Sequence, residues 1–105
     1  MAATPEGRVK NRVRKVLARY TGLYQFWPVS TGLGATSLDV IGCYKGCFFA
    51  IETKTAGKKL TPRQEVTSAA MVAAGAKVFV VVGEDSPVLF ELKTWLDAVE
   101  RSELP

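Results

Sequence analysis

Leu38-Asp39-Val40-Ile41-Gly42-Cys43-Tyr44 and Cys47-Phe48-Phe49-Ala50-Ile51-Glu52-Thr53-Lys54 are two runs rich in β-branched and aromatic residues, separated only by Lys45-Gly46. Gly46 tolerates the positive φ of a two-residue turn, so the pair reads as a β-hairpin. With Lys45 and Gly46 as the turn, Tyr44 opposes Cys47 and the numbers of every opposed pair sum to 91. Asp39 then lies directly across from Glu52, with both carboxylates on one face. Side chains alternate along a strand, which adds Lys54 to that face. Opposed Cβ atoms stand about 4.5–5.5 Å apart, where two carboxylates repel unless something positive sits between them. With no histidine or thiolate in the group, the donors suit a hard divalent ion, Mg²⁺ first and Mn²⁺ second. Such an ion lowers the pKa of a bound water and neutralises charge on a phosphate, while a neighbouring lysine orients the water or stabilises the anion. The plainer alternative is a solvated charge ladder, but the apolar run Cys47 to Ile51 marks a buried strand, where charge needs a partner. The same register points Cys43 and Cys47 to opposite faces, which leaves two ordinary buried thiols rather than a disulfide.

Upstream, Tyr24 to Val29 mixes aromatic and β-branched residues and meets Pro28, as an edge strand does. Ser30 to Ser37, with Gly32 and Gly34, reads as a flexible loop. Val9, Val13, Val16, Leu17 and Tyr20 form the stripe of an amphipathic helix from about Pro5 to Tyr20, with Thr4 as N-cap. Counting about 100° per residue places Glu6 on the inward stripe, although a first-turn glutamate also serves simply to complement the helix dipole. Downstream, Thr61-Pro62-Arg63-Gln64 supplies an N-cap, a first-turn proline and a capping-box glutamine, opening an Ala-rich helix that closes at Gly75 and whose small face suits close packing on a sheet. Gln64 is thus a capping residue, with a substrate-facing role left open by its closeness to Lys54. Val78 to Val82 is a continuous apolar run typical of a buried strand, parallel to the one before the helix. After Pro87, Val88 to Phe90 suggest a short strand, and Leu92, Trp95, Leu96 and Val99 a helix. The order is αβββαβ plus a terminal helix, an α/β fold with a central mixed sheet flanked by helices.

With 105 residues the whole chain is read as one domain. Hydrophobic residues at 48% and charged residues at 23% mark a chain with a packed core. The absence of histidine removes Ser-His-Asp and Cys-His nucleophile systems and histidine-metal chemistry. Two cysteines, no bilayer-length apolar run and a charged N-terminus without a signal h-region point to the cytoplasm and away from membranes. The net charge is +4, yet residues 1–83 hold twelve basic and four acidic side chains, whereas residues 84–105 hold two and six. Arg8, Lys10, Arg12, Arg14, Lys15 and Arg19 crowd the first helix, either as a solvated face or as the footprint of phosphate binding.

Asp39, then Glu52-Thr53-Lys54, a basic loop, Leu60-Thr61-Pro62-Arg63-Gln64 opening a helix, and Ala74-Gly75-Ala76 before Val78-Phe79-Val80-Val81 together resemble the PD-(D/E)xK nucleases. More narrowly, the chain resembles their small stand-alone VRR-NUC branch of phages and bacteria, over roughly Pro5 to Gly83. The resemblance implies a restriction-endonuclease-like core and a divalent-metal phosphodiesterase with Asp39 and Glu52 as ligands. It further implies Lys54 as the water-positioning lysine, Glu6 as the first-helix acid and Gln64 as the second-helix glutamine. Leu38 replaces the proline of the family's name at a position that makes no bond to the ion. Thr53 stands where an aliphatic residue is commoner, with its main-chain carbonyl still able to ligate.

The leading expectation is therefore a small Mg²⁺- or Mn²⁺-dependent DNA endonuclease, in the host cytoplasm if phage-encoded, and the resemblance further implies structure selectivity for branched DNA. Arg8, Arg12, Arg14, Lys15, Lys58, Lys59 and Arg63 are the expected DNA contacts. The rivals are a non-catalytic nucleic-acid-binding module and a nuclease subunit of a larger assembly. A homodimer is expected, with Tyr24, Phe26, Trp27, Phe90, Trp95 and Leu96 as contact candidates, although Phe26 reads better as core. The acidic tail after Gly83 is expected on the far side from the DNA.

Overall fold

A computed structural model describes residues 4–29 and 37–102, so most of the expected Ser30–Ser37 loop lies outside the described residues. The elements are α1 (Pro5–Leu17), β1 (Tyr24–Phe26), β2 (Val40–Tyr44), β3 (Cys47–Lys54), α2 (Pro62–Ala73), β4 (Lys77–Val82) and α3 (Val88–Glu100). They form a mixed sheet in the order β1-β2-β3-β4, antiparallel at the first two junctions and parallel at the third.

Lys45 (φ 48°) and Gly46 (φ 85°) both take the positive φ that a two-residue hairpin turn requires. The register follows, with Tyr44 opposite Cys47 and Val40 opposite Ile51. Cys43 and Cys47 are free thiols, half-buried rather than buried as expected. β1 is the expected edge strand but stops at Phe26, ahead of Pro28.

Thr4 Oγ1 accepts a 3.0 Å hydrogen bond from Gly7 N–H, capping α1 as its sequence predicts. The helix ends at Leu17 rather than Tyr20, because Arg19 N–H turns to the Val16 carbonyl (3.2 Å) and Tyr20 N–H to that of Leu17 (3.2 Å). These i→i+3 bonds tighten the last turn. Tyr20 remains buried, its hydroxyl donating to Asp97 Oδ1 at 2.7 Å, which ties α1 to α3. The strand expected at Val88–Phe90 is instead the first turn of α3. Pro87 already holds helical dihedrals (φ −64°, ψ −18°), and Ser86 Oγ accepts from Val88 N–H at 3.1 Å.

One sheet face carries the core: Val40, Tyr44, Phe49, Ile51, Phe79 and Val81 meet Val9, Val13 and Leu17 of α1 and Leu92, Leu96 and Val99 of α3. Trp95 packs edge-on against Phe49 and Phe79 while staying partly exposed, and Leu96 is fully buried and so no contact surface. Phe26, expected inside, is 49% exposed. The other face is thinly covered. Although α2 is Ala-rich, none of its residues is buried, and Val66 and Val72 face solvent. Accordingly β4 is not buried on both sides: Phe79 and Val81 face the core while Val78, Val80 and Val82 are half-exposed. No helix among the described residues is long and apolar enough to cross a membrane.

Gly42, in the middle of β2, is fixed by close approach. A Cβ there would run into the Phe49 ring and the Tyr24 carbonyl oxygen at 2.5 Å. Gly42→Ala is expected to cost about 1–3 kcal/mol by overpacking the core, read as a lower midpoint in urea unfolding.

Candidate active site

The hairpin's regular pairing ends at Val40–Ile51, and side chains take over from the ladder beyond that rung. Asp39 Oδ2 accepts from Thr53 N–H at 2.9 Å and from the Thr53 hydroxyl at 2.6 Å. In return, Asp39 N–H donates to Glu52 Oε1 at 3.0 Å. The two acids, expected across from each other, are thus locked to one another's strand at the open end of the hairpin. Glu52 is 3% exposed, and its Oε2 accepts from Gln64 Nε2 at 2.8 Å and faces Lys54 Nζ at 3.5 Å. Burial pushes the Glu52 carboxyl above its ordinary range, and the charge of Asp39 pushes the same way. Lys54 and the Asp39 N–H pull it back, without cancelling the rise.

A raised native pKa means that the native state binds the Glu52 proton more readily than the unfolded chain does. The ionised carboxylate therefore costs stability above the native pKa, and that cost disappears as pH falls through the native value to the ordinary one near 4.5. In the metal-free protein, the stability of wild type relative to Glu52→Gln is expected to rise as pH is lowered from neutrality to about that value. Parallel denaturant titrations check this, and a difference that is flat or falls on acidification contradicts it.

Gln64 takes the capping role its sequence predicts and adds a bond to the buried acid. Its Oε1 accepts from Thr61 N–H at 3.0 Å and Thr61 Oγ1 accepts from Gln64 N–H at 3.2 Å, closing the capping box, while Nε2 holds Glu52. The helix start and the acid are therefore positioned by one side chain.

Glu6 does not join the cluster. It is exposed and paired with Lys10 at 3.4 Å, one turn on along α1, because Val9, Val13 and Leu17 take the buried stripe and leave the first turn at its margin. Among the described residues no three His, Cys, Asp or Glu side chains come together as a cation cage. The oxygen donors at hand are the Asp39 and Glu52 carboxylates and the Thr53 carbonyl. Lys54 O accepts from Gly83 N–H at 2.8 Å on the β4 side, so the alternation of main-chain groups turns those of Thr53 toward Asp39. An all-oxygen set with excess acid fits a hard divalent ion.

The cations divide into engaged and open ones. Arg8 Nε pairs with Glu84 Oε2 at 2.9 Å, so the first acid of the C-terminal segment folds onto α1 rather than away from its basic face. Arg14 lies 4.1 Å over the Trp27 ring and donates to Asn11 Oδ1 at 3.2 Å. Arg12 and Lys15 on α1, Lys58 and Lys59 in the loop after Lys54, and Arg63 in the first turn of α2 are exposed. The Thr53 hydroxyl bridging to Asp39 was missed in the sequence. Its signal is a hydroxyl residue that follows Phe49 and Ile51 on the core-facing side of β3.

No family model matches the sequence. No curated protein matches it either. Among solved structures, a VRR_NUC domain aligns with a TM-score of 0.64 at 22% identity, over 97% of this chain and 100% of that one. The chain thus has the fold of a VRR_NUC domain, the restriction-endonuclease-like αβββαβ core that the motif order predicted.

Proposed function

We propose that this protein is a single-domain, divalent-metal-dependent endonuclease that hydrolyses phosphodiester bonds of DNA, acting in the cytoplasm. The observation that carries the reading is the interlocked group Asp39, Glu52, Lys54 and Gln64 at the open end of the hairpin, on a fold shared with a VRR_NUC domain. Asp39, Glu52 and the Thr53 carbonyl would hold Mg²⁺ or Mn²⁺. Bound there, the ion would supply a more acidic water and neutralise charge on the phosphate. Glu52 is held in place by Gln64, Lys54 and the Asp39 N–H, so its carboxylate is aimed before substrate arrives. Lys54, whose side chain is 17% exposed, is placed to orient the attacking water or to meet the developing negative charge. Arg12, Lys15, Lys58, Lys59 and Arg63 supply the phosphate grip, while Arg8 and Arg14 are already engaged within the chain.

A homodimer with selectivity for branched DNA belongs to the same reading. Leu96 drops out as a contact, and the support lies in β4, a sheet edge with no further strand among the described residues, where Trp95 and the 71% exposed Phe90 line one groove. The test is a nicking assay on linear, single-stranded and four-way-junction DNA with Mg²⁺, Mn²⁺ or EDTA. Cleavage with metal and none with EDTA is expected. DNA binding without cleavage under every metal condition refutes the enzyme and favours a plain binding module.

A further inference from the structure

We propose that the sheet face bearing Asp39, Glu52 and Lys54 is also a stacking platform for unpaired bases, built from Tyr24, Phe26 and Phe48. The substrate is then a nucleic acid with a single-stranded segment beside the phosphate that is cut. This inference rests on the nuclease reading above for the cutting, not for the stacking.

The register places the rings. Tyr24 pairs with Cys43, which pairs with Phe48, and these side chains form one row across three strands. Phe26 pairs with Ile41, which pairs with Ala50, forming the next row on the same face. Two residues further on stand Asp39 and Glu52. Rows two residues apart are about 6.7 Å from one another, so the rings lie one and two rows from the carboxylates. α2 contacts β4 at the opposite side of this face, with Phe48 at the margin of the groove beside it, and among the described residues no helix covers the β1–β2 half. Tyr24, Phe26 and Phe48 are 62%, 49% and 44% exposed.

Large exposed rings on a sheet face need an occupant. Three half-exposed aromatics offer on the order of 300 Å², short of the roughly 800 Å² per partner of a standard protein interface. Bases need no such area, since each stacks on one ring whatever its identity, and sheet-face aromatics are a known way of holding two or three unpaired bases. The charge agrees: exposed Lys58, Lys59 and Arg63 follow Lys54 in the chain and attract a polyanion to the carboxylate end of this face. A strand whose bases lie on the rings would deliver its backbone to Asp39 and Glu52.

The test is fluorescence anisotropy in EDTA, with a short labelled oligothymidylate and a blunt duplex of equal length as probes. Tyr24→Leu, Phe26→Leu and Phe48→Leu keep apolar bulk while removing the ring. Each is expected to weaken oligothymidylate binding roughly 5- to 150-fold and to leave duplex binding unchanged. Tyr24→Leu, at the most exposed position, keeps the test valid if the triple variant unfolds. Unchanged oligothymidylate binding, or an equal loss on duplex, overturns the platform. So does a wild-type dimer in sedimentation that the triple variant converts to monomer, since a second copy then covers the face. Because binding is read without metal, the two readings separate. Selective loss of oligothymidylate binding in a protein that never nicks rejects the nuclease and keeps the platform. Asp39-dependent nicking with no selective loss does the reverse.

Discussion

Asp39→Asn and Glu52→Gln are each expected to lower DNA cleavage by about 10³-fold or more while leaving the fold and DNA binding intact. The conservative amides matter, because each acid also has a structural task. Asp39→Ala would strip the acceptor from the buried Thr53 N–H and hydroxyl, an unsatisfied-donor cost of about 1–3 kcal/mol that would blur any kinetic result. Asp39→Asn keeps an acceptor oxygen for both Thr53 donors and removes the charge that a divalent ion needs. Glu52→Gln removes the same charge but turns its amide NH2 toward either the Asp39 N–H or the Gln64 amide, so its kinetics are read beside its own stability. Lys54→Ala is expected to fall similarly, by about 10²–10⁴-fold, if it aims or activates the water. Gln64→Ala should cost roughly 10–100-fold, as outer partners of a metal site do, because the Glu52 acid loses its 2.8 Å donor. Removing a negative charge beside the phosphate path is expected to hold or tighten DNA binding. Nicking under saturating Mg²⁺, alongside thermal unfolding of each variant, reads these effects. Cleavage by Asp39→Asn at the wild-type rate removes Asp39 from the site.

The central hairpin could be read from the sequence because two constraints agreed. Lys45-Gly46 set the turn, and alternation then determined which face each side chain took. The same arithmetic brought Asp39 and Glu52 together, although the structure replaces the expected rung with side-chain bonds because the ladder ends one residue early. Errors fell where periodicity was short or shared. Val88 to Phe90 are β-branched and aromatic enough to suggest a strand, yet Pro87 and the Leu92, Leu96 and Val99 spacing commit them to α3. Glu6 sits at the margin of the apolar stripe, where an angular count does not distinguish inward from outward, and Lys10 one turn away pairs with it outside. How far α2 covers the sheet was not legible: alanine spacing shows that a helix is able to approach closely, not that it does. For the cations, sequence identifies charge but not company. Arg8 and Arg14 looked like their neighbours until Glu84 and Trp27, far from them in sequence, came into contact.

That division of the cations leads to the second large effect. Neutralising Arg12, Lys15, Lys58 and Lys59 together as glutamine is expected to flatten the dependence of log K on log salt by about 3.6, at roughly 0.9 per phosphate contact. Across a fourfold change in salt, a slope of that size corresponds to a change in affinity on the order of 100-fold. All four are exposed and their charge is not spent inside the protein, so the effect should be the same on every DNA sequence. Arg8→Gln and Arg14→Gln serve as contrasts. Arg8 is already matched by Glu84 at 2.9 Å and Arg14 is stacked on Trp27, so each should move the salt slope by much less than 0.9. Their loss should appear in stability instead, through a surface ion pair and a cation–π contact worth at most about 1 kcal/mol apiece. Equilibrium binding to a duplex over a salt series, in EDTA to prevent cutting, gives the slopes directly. If Arg8→Gln flattens the slope as much as Arg12→Gln, the Arg8–Glu84 pair opens on DNA. If the fourfold variant keeps the wild-type slope, the duplex does not run along α1 and the basic loop, and the phosphate grip must come from the remaining exposed cations, Arg63 among them.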